Sequence, residues 1–120
     1  MRKHIPDEVL AFMADKFRML SEPTRLSILR TLMVKGEQNV GQVAKATGGT
    51  HANVSKHLKQ LAAAGLIARR KEGLNVLYRM DDPVVEKICH LVCETIFEEL
   101  EAQAKQSRKL LKGKSRGDTK

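Results

Sequence analysis

Cys89 and Cys93 stand four residues apart in the string Cys89-His90-Leu91-Val92-Cys93-Glu94. On a helix this spacing puts both sulfurs on one face, a turn apart, where two thiolates can share one soft or borderline metal ion such as zinc or cadmium. His90 and Glu94 form a second pair at the same spacing, rotated by about 100°. Two ligands do not close a tetrahedral site, so a bound metal needs further groups, from His4 or from a second copy of the chain. The same thiols are candidates for oxidation if exposed and ionised. Packing is the simpler account: free Cys behaves as a small hydrophobe, and both residues border an apolar stripe. Glu86, His90 and Glu94 likewise read as a solvated row.

A second chemistry belongs to Gly41–Met80. Two short amphipathic helices flank Gly48-Gly49-Thr50, and a basic hairpin follows, the pattern of a helix-turn-helix with a wing. In the second of these helices Val54, Leu58 and Leu61 face a core, so Ala52, Asn53, Lys56 and Gln60 point away. Small polar residues near the helix start permit close approach to base edges in a major groove. Asn53 suits an adenine edge, and Lys56 suits guanine or a phosphate. His51, Ser55, His57 and Lys59 suit phosphates or the groove edge, and Thr50 caps a helix N-terminus that itself favours an anion. Arg69, Arg70 and Lys71 on the hairpin suit the neighbouring backbone or minor groove. The bland alternative is a solvated polar face on a helical domain; it requires the glycine turn, the cap and the basic wing to coincide by chance.

Charge distribution favours the nucleic-acid reading. The 120-residue chain carries a net charge of +8, unevenly spread. Residues 45–80 hold seven basic residues against Glu72 alone, and residues 105–120 hold seven against Asp118 alone. The remainder is net acidic. Basic charge clustered beside an acidic scaffold is the footprint of phosphate binding.

These groups need elements to hold them. Helical periodicity predicts a first helix over Pro6–Leu20 and a second from Pro23 to about Met33, with Ser21 as cap, Pro23 in the first turn and Leu26, Leu29, Leu32 and Met33 on one face. A third helix covers about Val40–Ala46, and a fourth follows Thr50 to about Ala64, stopped by Gly65. Leu66–Lys71 and Val76–Met80 form a hairpin in which Gly73 or Asn75 takes positive φ. Asp82-Pro83 opens a last helix with Val85, Ile88, Val92, Ile96 and Leu100 along one stripe. The expected fold is mainly α with a small β-hairpin, in the order α-α-α-α-β-β-α. Residues 1–105 form the domain, and residues 106–120 a basic, disordered tail.

Length allows one small domain with a modest core, so a dimer that shares core is expected. Trp is absent and Tyr and Phe are few, which makes that core aliphatic. No 18-residue apolar run or leader-like start is present, so no membrane partner and a cytoplasmic location are expected. Two cysteines fit a reducing compartment better than a disulfide framework. No Ser/His/Asp, paired-carboxylate or phosphate-loop arrangement points to an enzyme.

Leu20-Ser-Glu-Pro-Thr-Arg-Leu-Ser-Ile-Leu29, Val54-Ser-Lys-His-Leu58 and Leu61-Ala-Ala-Ala-Gly-Leu-Ile67 resemble the arsenic-repressor (ArsR-type) winged-helix family over about residues 8–100. The resemblance implies a homodimeric repressor, paired through its first and last helices, that leaves a double-stranded DNA operator when an effector binds. The effector would be a zinc-, cadmium- or arsenite-type ion, or a thiol-reactive species, at Cys89 and Cys93, with His90 nearby. The chain departs from the family's sensing patterns. Asn39 and Gly41 occupy the positions of the arsenic-type Cys-x-Cys pair. Asp81, Asp82, His90 and Glu94 do not have the zinc-type spacing. Arg30 lies about where persulfide-sensing relatives carry a cysteine. The alternative reading is an effector-independent DNA-binding or architectural protein with structural cysteines.

Overall fold

The computed structural model describes residues 4–118, with side chains through residue 113. It falls into two units, one ending at Pro83 and one beginning at Val84. The first contains helices α1 (Asp7–Leu20), α2 (Pro23–Lys35), α3 (Val40–Thr47) and α4 (His51–Ala63) and strands β1 (Gln38–Asn39), β2 (Ile67–Glu72) and β3 (Asn75–Met80); the second is formed by the long helix α5 (Pro83–Asp118) from its second residue onward.

The core of the first unit is aliphatic apart from one ring. Ile28, Leu29 and Leu32 of α2 are buried with Val43 of α3, Val54, Leu58 and Leu61 of α4, Leu66, Ile67 and Tyr78. Each such side chain contributes about 1.5–3 kcal/mol relative to exposure, so this set fixes the packing of α2, α3 and α4. Leu26, expected on the core face of α2, is exposed, and Ile28 and Thr31 are buried instead. The buried face of α2 is rotated from the expected one because α3 and α4 pack on the side of residues 28, 29 and 32.

Glu22, rather than Ser21, caps α2: its carboxylate accepts from the N–H groups of Thr24 and Arg25 at 3.1 and 3.0 Å. Ser21 instead donates its hydroxyl to the Arg18 carbonyl at 2.8 Å and closes α1. Arg25 reaches the same helix end, donating to the Met19 and Arg18 carbonyls at 2.9 and 3.1 Å. These bonds satisfy carbonyls that the end of a helix leaves unpaired. Lys16 of α1 pairs with Asp82 at 2.8 Å.

The sheet runs β1-β3-β2, all antiparallel. β1 is absent from the expected order. Its two residues are too few to alternate, and they become a strand only because β3 offers Leu77 and Tyr78 as partners. Gly73 takes positive φ and no other hairpin residue does, the pattern of a type II′ turn with glycine first; Asn75 belongs to β3.

Beyond residue 105 the composition suggests a disordered tail, but α5 continues as helix to Asp118. Residues 101–112 are almost all Glu, Ala, Gln, Lys, Arg and Leu, strong helix formers whose propensity outweighs their charge. Among the described residues no helix is long and apolar enough to cross a membrane.

Candidate nucleic-acid interface

The α3–turn–α4 segment is fixed at both ends of each helix. Asn39 caps α3 by accepting from the Gln42 N–H at 2.8 Å, and the Gln42 side chain accepts from the Asn39 N–H at 2.9 Å. Asn39, at the position the arsenic-type pattern fills with cysteine, thus serves as a cap. Gly48 ends α3 in the left-handed region at φ 75. Gly49 is required for space: a Cβ built there lies 2.9 Å from Cγ2 of Val54, closer than a side chain tolerates. Thr50 then accepts from the Asn53 N–H at 3.2 Å and starts α4. The first turn of α4 carries no acidic residue, so the positive end of its dipole is not neutralised from within.

Val54, Leu58 and Leu61 of α4 are buried, as the periodicity predicts. His51, Ala52, Asn53, Lys56, Lys59 and Gln60 are exposed and Ser55 is half-buried. Asn53, Lys56 and Gln60 therefore share a surface with a small residue, Ala52, among them. His57 behaves differently. Its Nδ1 is sealed from solvent with no hydrogen-bond partner among the described residues, so this ring edge faces the fold and not a ligand. Its position also acts on α2. The carboxyl of Glu22 is held below the ordinary carboxylate range first by the Thr24 N–H and then by that of Arg25, with the charge of His57 a smaller contributor.

In the wing, Arg69 lies opposite Tyr78 and Lys71 opposite Val76, while Arg70 lies opposite Leu77. Alternation along β2 therefore puts Arg69 and Lys71 on one face of the sheet and Arg70 on the other. Arg70 is engaged: its Nε and a terminal nitrogen donate to the two carboxylate oxygens of Glu37 at 2.8 and 2.7 Å. It also pairs with Glu72 at 2.9 Å, and Arg79 approaches Glu37 at 3.9 Å. The Arg70 hydrogen bond holds the Glu37 carboxyl below its ordinary range, and Glu37 in turn raises the already high pKa of the guanidinium. Neither Glu37 nor Arg79 carries a local sequence signal that links it to Arg70. Only the strand register, which puts Gln38 beside Tyr78, brings them together.

On α5, Cys89 is half-buried, while Cys93 and His90 are exposed. Burial, then the neighbouring Cys93 and Glu86, push the Cys89 thiol up, which disfavours the thiolate that metals and oxidants need. Among the described residues no three His, Cys, Asp or Glu side chains converge as a metal site. The two thiols of one chain therefore do not make a complete site.

A family model described as "Helix-turn-helix domain" matches residues 20–70. The HTH-type transcriptional regulator KmtR of Mycobacterium tuberculosis is 31% identical over 93 residues, which are 78% of this chain and 68% of that relative. Among solved structures, the AntR antimony-specific transcriptional repressor superposes with a TM-score of 0.76 at 29% identity, covering 83% of this chain and 90% of that one. The homodimeric winged helix-turn-helix DNA-binding domain of Mb0332 from Mycobacterium bovis, a possible ArsR-family regulator, superposes with a TM-score of 0.71 at 31% identity, covering 83% and 94%.

Proposed function

This chain belongs to the ArsR-type family of winged helix-turn-helix transcriptional regulators, and from that premise we propose that it is a homodimeric repressor that an effector releases from its operator. The family binds DNA and regulates transcription; its members are regulators rather than enzymes. The observation that carries the reading is the exposed polar surface of α4, opened by the Thr50 cap and an uncompensated helix N-terminus. Laid in a major groove, α4 presents Asn53 and Lys56 to base edges. Thr50, His51, Ser55 and Lys59 then lie near the flanking phosphates, and Arg69 and Lys71 reach the adjacent backbone from the wing.

Two copies place two such helices about one helical turn apart on a roughly palindromic site. Pairing through α1 and α5 is supported by their bare apolar side chains. No residue of α1 is buried, and Val9, Leu10, Phe12 and Phe17 of α1 and Leu91, Val92, Ile96, Phe97 and Leu100 of α5 are exposed. The Mb0332 domain, homodimeric by its description, supports it further.

The effector is a soft metal ion or a thiol-reactive species at Cys89 and Cys93. The i,i+4 spacing and the antimony-specific repressor among the structural relatives support this part; a metal would need groups from the second copy. The half-burial of Cys89 and its raised thiol pKa favour a second reading, in which the cysteines pack and regulation follows abundance alone. Binding to a duplex selected from a random pool separates the two, measured with zinc, cadmium, arsenite, peroxide or a persulfide donor present. Release by one agent, abolished in Cys89→Ser/Cys93→Ser, is the expected result. Indifference to every agent would leave the second reading standing.

A further inference from the structure

We propose that Glu37 is a positioning residue for DNA recognition: it clamps Arg70, and with it the wing, so that Arg70 holds the hairpin instead of touching phosphate. The inference rests on the reading of α4 and the wing as the DNA interface. Glu37 lies just before β1, where the next residue, Gln38, pairs with Tyr78 of the central strand. Its carboxylate reaches past β3 to Arg70 on β2, accepting two parallel hydrogen bonds at 2.8 and 2.7 Å. One side chain thereby ties the edge strand β1 to the outer strand of the hairpin, and it draws Arg79 of the middle strand to 3.9 Å. Glu72 adds a second carboxylate on Arg70 at 2.9 Å.

A planar guanidinium gripped in this way has its fork committed. The two carboxylates also offset two of the cations that the wing would otherwise turn toward DNA. Phosphate contact then falls to Arg69 and Lys71, which the register puts on the opposite face of β2. The angle of the hairpin decides whether those two reach the backbone when α4 is seated.

The clamp and a plain charge effect predict opposite signs. Removing a negative charge near DNA strengthens binding to any duplex by electrostatics alone. Removing the clamp weakens binding to the preferred site. The test uses the full-length protein, a duplex it selects from a random pool, and an unselected random duplex, each titrated over a range of salt. The expected results are that Glu37→Gln loses affinity for the selected duplex while holding or gaining it on the random one. Arg70→Lys, which keeps the charge and loses the fork, does the same. Lys71→Gln flattens the salt slope by about 0.9, one phosphate's worth. In Glu37→Gln/Arg70→Gln the two losses do not add. Circular dichroism melting checks that each variant folds; if Glu37→Gln does not, Arg70→Lys decides. Tighter selected-site binding by Glu37→Gln or full affinity in Arg70→Lys would overturn the clamp and leave the DNA reading intact. An unsubstituted protein with no salt-dependent duplex affinity would overturn both.

Discussion

Lys56 is the residue at which the proposed DNA reading can be tested most directly. It is exposed on α4, between buried Val54 and Leu58, with no ion pair among the described residues to tie it down. Lys56→Ala is expected to cost about 1–3 kcal/mol on the preferred duplex and less on random sequence; an equal loss on both, measured by anisotropy at one salt concentration, would make it a phosphate contact. The outward set of α4 was legible in the sequence because three apolar residues at 54, 58 and 61 fix the helical phase. His57 was not. It sits at the boundary of that phase, half-buried, with its Nδ1 sealed from solvent. The partner of Arg70 was hidden for a different reason: composition counts a cation, but only strand register reveals the carboxylate that holds it.

At the scale of elements, the α3–α4 turn concentrates the constraint. Gly49 has no Cβ to meet Cγ2 of Val54, and Val54 is fully buried. Gly49→Ala must push Val54 or the start of α4 aside, an overpacking change of roughly 1–3 kcal/mol. The expected outcome is a lower melting temperature together with weaker DNA binding, since α4 moves with the residue that is displaced. Unchanged melting would mean that the turn absorbs the methyl freely. The helices and the hairpin were readable from periodicity, glycine stops and the Thr50 cap, all local signals. β1 and the Glu22 cap were not, because a two-residue strand exists only through its partner, and Glu is a less usual cap than the Ser beside it. The helical continuation of α5 past residue 105 was hidden by its charge.

At the scale of the whole molecule, α1 and α5 leave large apolar side chains in solvent that a second copy would cover. Ile96→Glu puts a charge in the middle of the α5 stripe. It is expected to convert the proposed dimer to monomer in sedimentation and to lower affinity for a palindromic duplex far more than for a half-site. Unchanged sedimentation would take this stretch of α5 out of the interface.

Tyr78 has a use beyond packing. It is the chain's one tyrosine, no tryptophan is present, and it lies 2% exposed in the central strand of the first unit. The protein therefore carries a single tyrosine fluorophore at a known address, between the wing and β1, and none on α5. Tyrosine emission reports on the reading head alone, whereas far-ultraviolet dichroism sums the helices of both units. If the two signals melt together, head and long helix unfold as one cooperative body; if they part, the chain itself reveals which half yields first.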